Sequence, residues 1–598
     1  MEPHWCAVVG ICTHSNVVIP TLGRCGRYGG GMQDAWRACS AGNDERDRSR
    51  RSHLGSADAP PPPTPASLSL AVRRIAANLD PKRTGLSGAE RLELSLQLLP
   101  GRLRDVRLAH FHRLISALPE EERDWWIGTL HTLLMPSTER RRLAAHFTPP
   151  NLARRVLELA VEAGIDLRTA RIIDPCAGGA AFLGTVADAL RRSHIDAGNA
   201  LKRLKGLEID EHLAELARAI LARRLGRNSV PAHVISVGDA LSTGMQETFD
   251  AVLANPPYGR MLGVPKEKRM RWTHLADLGH VNLYALFVGL ALDLLRPGGI
   301  AALILPASFL AGPLFGRLRT HIRTHAEIIS VHVLDDRNGV FFDVAQDTCV
   351  LLLRKGQPGN TLRWGAIAVD GTARTLGTTV LPQDLAAPWP MPLSNLPHSH
   401  ELAHLSHWGF EVRAGYFVWN REGHRMSKNR ASPLDFPLVW AVNVNAGKKV
   451  HPAARDGAGV DFVRFEKPSQ AILRQRAVIV QRTTNNRQRR RLVAAPIAAS
   501  VLSRYHGFVT ENHTLTLIPT NDGADLKLIC QLLGSSSVDA MYRRVAGTAS
   551  ISVRALRELP LPWPEHLRAA LEAGLPFEDA VRKAYTMGTR KPHERTPD

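Results

Sequence analysis

Cysteine is scarce in this chain, with seven in 598 residues. Cys176, Cys349 and Cys530 each stand alone in apolar surroundings, so no disulfide framework is available and a reducing cytoplasm fits. Cys6, Cys12, Cys25 and Cys39 lack the paired spacing of a zinc site, and no metal is expected. Unbroken apolar runs are missing too. A long uncharged stretch, Pro297 to Gly316, is punctuated by Gly298, Gly299, Pro306, Gly312 and Pro313 and reads as strand plus loop, so no transmembrane segment is expected. The N-terminus has an apolar patch around Val8 to Ile11 but neither a basic start nor a cleavage site, which argues against a secretory signal. Acid is the last shortage: 56 Asp and Glu face 76 Lys and Arg, for a formal charge of +20. Such a surface favours a polyanion, and nucleic acid before a membrane, because no membrane device accompanies the charge. A merely basic solvated surface is the plain alternative.

The length exceeds one core and, at about 150 residues per domain, predicts three or four units. Residues 1–66 lack periodicity, carry a Pro60–Pro63 run, and read as disordered or as a misassigned start of the gene. Residues 67–142 show helical spacing, as in Leu92, Leu96 and Leu99 and then Leu108, Phe111, Ile115 and Leu118, and predict a small helical domain. Between 143 and 360 strands and helices alternate, the pattern of an α/β sheet. Residues 361–405, Pro-rich from Pro382, read as a linker. A mixed, β-rich basic domain is expected over 406–565, and a helix and charged tail over 566–598.

The stretch Phe249-Asp-Ala-Val-Leu-Ala-Asn-Pro-Pro-Tyr258 reads as a buried strand that runs into a rigid polar-aromatic loop. Two consecutive prolines cannot continue a central ladder, so the strand ends there. The Asn255 amide oxygen and the Pro256 carbonyl can accept from an exocyclic amine while the Tyr258 ring stacks on its plane. A simple turn after a strand is the bland alternative.

Its neighbours carry acids at strand tips. Asp174 ends Arg171-Ile-Ile-Asp and precedes Pro175-Cys-Ala177-Gly178-Gly179, whose small residues let a ligand approach backbone and helix N-terminus. An acid there repels a pyrophosphate but suits an ammonium. Glu208 ends Leu204-Lys-Gly-Leu-Glu and can take both hydroxyls of a ribose, with Ile209 beside it. Asp210 serves equally well as a helix N-cap. Asp239, followed by Ala240, ends a third strand and is placed to accept from an adenine amino group. Upstream, Phe147-Thr148-Pro149 precedes a helix, where Thr148 or Asn151 is the candidate cap. Tyr284 to Leu295 is expected as a helix, Arg296 to Gly299 as a turn, and Ile300–Leu305, Ile328–Leu334 and Thr348–Arg354 as strands. In the C-terminal half, Arg482, Arg487, Arg489, Arg490 and Arg491 surround Thr483-Thr-Asn-Asn486 with no acid among them, which suits phosphate contacts and base-edge readout. A solvated arginine face is the alternative.

In order, Phe-Thr-Pro, Asp-Pro-Cys-Ala-Gly-Gly, Gly-Leu-Glu-Ile-Asp, Gly-Asp-Ala-Leu and Asn-Pro-Pro-Tyr resemble the gamma-class adenine-N6 DNA methyltransferases of restriction–modification and phage-defence systems. The resemblance covers roughly residues 140 to 565 and is looser in the C-terminal half. It implies a seven-stranded Rossmann-like methyltransferase sheet and a mixed α/β target recognition domain straddling double-stranded DNA. It implies S-adenosylmethionine as cofactor, with Phe147, Thr148 and Pro149 over its methionine part and Asp174, Ala177, Gly178, Glu208, Ile209, Asp239 and Ala240 around the remainder. Catalysis falls to Asn255, Pro256, Pro257 and Tyr258, with Phe342 against the target base and Arg482, Arg487, Arg489 and Arg490 on DNA. Nothing ahead of residue 140 offers the metal-binding carboxylate cluster with a lysine that a nuclease needs, so methylation alone is expected, with restriction or defence activity left to separate partners, and a cytoplasmic, nucleoid-associated protein follows. RNA or protein-glutamine amino-methylation, and an inactive DNA-binding specificity protein, stay open as rivals.

Overall fold

The computed structural model describes residues 63–80, 84–136, 138–140, 147–242, 244–245, 248–259, 271–275, 282–334, 347–392, 402–482, 490–546 and 551–587. Its centre is a nine-stranded sheet. The strands are β1 (Ile172–Asp174), β2 (Leu204–Glu208), β3 (Ile235–Val237), β4 (Phe249–Ala254), β5 (Leu295–Pro306), β6 (Ala326–Leu334), β7 (Thr348–Lys355), β8 (Thr361–Ile367) and β9 (Ala373–Val380), in the order β3-β2-β1-β4-β5-β7-β6-β8-β9. Strands β3 to β5 pair in parallel, and β7 inserts antiparallel between β5 and β6.

Alternation along the central strands explains the layering. Ala251 and Leu253 of β4 join one core, whereas Val252 and Ala254 join the core on the opposite face. Both faces are covered by helices, as a buried parallel sheet requires. The strand order reverses between β1 and β4, and in open α/β sheets ligands bind outside the strand ends at that reversal.

Two expectations need correction. The seven strands become nine, because β8 pairs with β6 and β9 with β8, so residues 361–380 extend the sheet instead of opening a linker. Leu362, Trp364 and Ala366 alternate inward along β8 and supply the apolar face that makes this possible. The Pro-rich stretch that follows is also fastened: Trp389 is buried edge-on to Phe309 at 5.4 Å, and the Ala386 carbonyl accepts from Arg319. The expected turn Arg296–Gly299 lies inside β5, where Gly298 at φ +77° absorbs a register shift against β4.

Helices Pro65–Leu79, Gly88–Gln97, Ala109–Ser116 and Glu120–Leu133 form the N-terminal bundle. Ser87 and Glu90 close a reciprocal capping box at the second of them. The bundle does not keep a core of its own, because Leu213, Leu216 and Ile220 of helix Glu211–Arg224 complete it. Ion pairs from Arg223 to Glu120 and Asp124, and from Arg224 to Asp124 and Asp188, lie along the same seam.

The C-terminal half contains two four-stranded sheets. One comprises β10 (Phe410–Ala414), β17 (Thr514–Pro519), β14 (Val478–Gln481) and β15 (Ala494–Pro496); the other comprises β11 (Met426–Ser427), β13 (Phe462–Arg464), β12 (Asp435–Val439) and β16 (Val509–Thr510). The last helix, Phe577–Thr586, packs Ala580, Val581, Ala584 and Tyr585 into the first sheet's core, and the Tyr585 hydroxyl donates to Pro560 O at 3.0 Å. Among the described residues no helix is long and apolar enough to cross a membrane.

Candidate active site

The site is built on the C-terminal ends of β1, β2, β3 and β4. After β1 the chain turns through Gly178 at φ +50° and Ala180 at φ +59° before helix Ala181–Arg192 begins. An alanine in the left-handed region is uncommon, and the surrounding structure holds it there. Ala177 N–H donates to Leu207 O at 2.8 Å, and Gly178 N–H donates to Glu208 Oε2 at 2.9 Å, so the loop after β1 is stitched to the tip of β2. Gly238 N–H in turn donates to Glu208 O at 2.8 Å, which ties in the end of β3.

Asp174 is 2% exposed and accepts from Cys176 N–H at 3.1 Å. Burial, reinforced by neighbouring Glu208, pushes its carboxyl up to about 7. Glu208 is raised in the same direction, chiefly by burial, against the lowering effect of the Asp210 and Gly178 N–H groups. Two desolvated carboxyls at adjacent strand tips form an electrostatic vacancy for a cation. Asp239 is half-buried and accepts from Leu241 N–H and the Ser242 hydroxyl, both at 3.0 Å. Ala240 beside it is buried, whereas Ile209 is 51% exposed and offers an apolar edge at the mouth. Asp210 takes the N-cap position, accepting from Leu213 N–H at 2.8 Å.

Phe147, Thr148 and Pro149 lie on this loop. The Phe147 ring sits so close to Gly179 that a Cβ there would fall 1.9 Å from its Cε1 atom, so only glycine admits it. Trp125 Nε1 donates to Phe147 O at 3.1 Å, anchoring the segment from the helical bundle. Pro149, not Thr148 or Asn151, is the residue that precedes helix Pro150–Glu162, and no side chain caps that helix. Buried Thr148 has a different partner. Its Oγ1 accepts from Asn255 Nδ2 at 3.1 Å.

Asn255 is thereby held at both ends, because the Tyr258 hydroxyl donates to its Oδ1 at 2.7 Å. The Tyr258 ring stands edge-on to Tyr284, with centroids 6.5 Å apart, and burial raises its phenol well above the ordinary range. Pro256 is buried and Pro257 half-buried. Cys176 lies between the two halves of the site: burial, with Asp174 and Glu208 close by, pushes its thiol well up, and the Asn255 backbone N–H acts in the opposite direction. The strand-tip acids and the Asn-Pro-Pro-Tyr loop therefore share one edge of the sheet, and Asn255 remains half-exposed there. Thr148 and Cys176 are the links that local reading of the sequence missed. Both act across more than one motif.

Residues 134–369 match the family described as N-6 DNA Methylase. Among curated relatives, the Type II methyltransferase M.BsuBI of Bacillus subtilis is 27% identical over 38% of this chain and 46% of its own length. The Type II methyltransferase M.TthHB8I of Thermus thermophilus is 28% identical over 38% of this chain and 49% of its own length. The Type II methyltransferase M.PstI of Providencia stuartii is 24% identical over 56% of this chain and 68% of its own length. The chain spans about half the length of the first two.

Outside the matched residues, Arg482 donates from Nη1 to Asn512 O at 3.2 Å, and Arg490 is exposed with its guanidinium 3.8 Å from Glu578. Phe342, Arg487 and Arg489 lie outside the described residues. Arg491 departs from the expectation for its arginine run. It is 2% exposed, paired with Asp347 at the start of β7, and its backbone N–H donates to Asp539. It fastens the C-terminal half to the central sheet and has no free face for a phosphate.

Proposed function

We propose that the chain transfers a methyl group from S-adenosylmethionine to the N6 amino nitrogen of an adenine everted from duplex DNA. The observation that carries this reading is the shared sheet edge: β1 pairs in parallel with β2 on one side and β4 on the other, so buried Asp174 and Glu208 end adjacent strands beside the strand that leads into Asn255. Asp174 fits the cofactor's ammonium, Glu208 its ribose, and Asp239 with Ala240 its adenine. Phe147, Thr148 and Pro149 fit the methionine part, and Ala177 and Gly178 line the loop between. The bound cofactor supplies a methyl group already activated on a sulfonium.

The protein's own contribution is alignment. Asn255 Oδ1 has two lone pairs; Tyr258 occupies one and leaves the other for an amine hydrogen. With the Pro256 carbonyl as second acceptor, both amine hydrogens are drawn aside and the nitrogen lone pair is freed from conjugation with the ring. The Tyr258 ring supplies a stacking face, as enzymes acting on an everted base require. No covalent intermediate is needed, because orientation of two reactants already accounts for a large rate enhancement. The basic C-terminal half fits the duplex. The biological setting we propose is restriction–modification or phage defence, with separate restriction or defence partners.

The test is transfer of tritium from labelled cofactor to duplex DNA, RNA and protein offered separately. Label in duplex DNA is the expected result. Label in RNA or on a protein glutamine instead would replace the substrate and overturn the reading.

A further inference from the structure

The loop joining β12 to β13 carries Arg455, whose guanidinium carbon lies 4.6 Å from the Trp419 ring and 5.7 Å from the Trp440 ring. Trp440 is fixed in place, buried and donating from Nε1 to Asp461 Oδ2 at 2.8 Å, and Arg455 N–H donates to the same oxygen at 3.0 Å. Trp419 is 42% exposed, so the guanidinium is steadied by two indoles at the protein surface. Its own N–H groups make no side-chain hydrogen bond or ion pair with any described residue. Asp456 and Asp461 pair with Lys428, Glu422 pairs with Arg425, and Glu511, close enough to feel the charge of Arg455, accepts from Ala441 N–H.

The same loop presents two further cations. Asn443 closes its base, donating from Nδ2 to Ala453 O at 3.2 Å and accepting from Ala453 N–H at 3.4 Å. Beyond that clamp the chain turns at Gly447, with φ +75°, and exposes Lys448 and Lys449, neither of which has an ion pair among the described residues. Across residues 411–480 twelve Lys and Arg face six Asp and Glu, so the local field favours an anion as the whole chain does.

We propose that Arg455, with Lys448 and Lys449, grips the phosphodiester backbone of the duplex. A planar guanidinium held flat presents a donor fork that matches two phosphate oxygens, whereas the lysines act as point charges. Contacts of this kind set orientation and affinity without reading sequence. The assignment rests on the proposal that the chain acts on DNA.

The experiment measures binding of the full chain to a short fluorescent duplex of mixed sequence over a range of salt concentrations. Arg455→Ala is expected to weaken binding about tenfold and to lower the slope of log affinity against log salt by about one. Arg455→Lys keeps the slope and recovers part of the affinity, Trp419→Ala weakens binding at unchanged slope, and the pair Lys448→Ala with Lys449→Ala lowers the slope by about two. Cofactor affinity stays at the wild-type value in all of them. Wild-type affinity and slope in Arg455→Ala, with the duplex still bound, would overturn this inference alone. Failure of the unaltered chain to bind the duplex would overturn the DNA reading with it.

Discussion

The hydroxyl of Tyr258 donates to Oδ1 of Asn255 at 2.7 Å, so the amide proposed to receive the target amine is held in place before any target arrives. Tyr258→Phe keeps the ring and removes this one bond. The loss of a single neutral hydrogen bond corresponds to a fall of roughly 2- to 10-fold in kcat, with little change in cofactor affinity. Tyr258→Ala removes the stacking face too and falls further. Single-turnover methyl transfer reads both; a Phe variant at full rate would leave the hydroxyl without a positioning role.

Thr148 holds the other end of the same amide. Without its Oγ1 the Asn255 amide is free to turn, so Thr148→Val should lower the transfer rate at saturating cofactor, and Thr148→Ser should restore it. The cofactor's dissociation constant, measured separately, distinguishes the alternatives. A change confined to cofactor affinity would place Thr148 with the cofactor alone.

Asp174 gives a pH dependence of definite sign. Its carboxyl sits near 7 in the folded chain, against about 3.9 when unfolded. Between those values the folded state holds a proton that the unfolded chain has released, so this residue's share of stability falls as pH rises from about 4 to about 7, then levels off. Asp174→Asn removes that share, and the Tm of the variant relative to the wild type should rise between pH 5 and pH 8. A bound ammonium favours the ionised carboxylate, so wild-type cofactor affinity rises over the approach to pH 7. In the variant, affinity falls by roughly tenfold or more, as expected for a lost charge-assisted hydrogen bond.

Arg490 and Arg491 are adjacent in sequence and opposite in environment. Arg491→Ala removes the buried guanidinium that pairs with part-exposed Asp347 between the central sheet and the C-terminal half, at an expected cost of about 2–3 kcal/mol. Arg490→Ala, at an exposed site, should change stability by no more than about 0.5 kcal/mol. Urea denaturation followed by tryptophan fluorescence compares the two. Equal, small effects would show that Arg491 is not a structural tether.

What the sequence made legible were features in which a local pattern is the cause of the structure. Asp174, Glu208 and Asp239 each follow a short apolar run, and the paired prolines at 256 and 257 end β4 where two missing N–H groups demand it. Features decided by distant partners were not legible. Thr148 looks like a cap until Asn255, 107 positions away, is folded against it. Arg491 looks like any member of a basic run until it is buried against Asp347, 144 positions away. Strands β8 and β9 were hidden for another reason: glycines at 365, 371 and 377 and the prolines after 381 carry turn chemistry, and the inward alternation of Leu362, Trp364 and Ala366 is short. The overlap of the helical bundle with helix Glu211–Arg224 likewise depends on a shared apolar face that neither segment announces alone.

The most direct measurement is the modification of adenine in living cells. Genomic DNA from cells expressing the chain, and from cells expressing Asn255→Ala, is read by long-read sequencing sensitive to N6-methyladenine. Methylated adenines within one recurring sequence are expected in the first sample and none above background in the second, while the purified variant still binds cofactor. Methylation by the Asn255→Ala chain at the wild-type level would contradict the proposed chemistry.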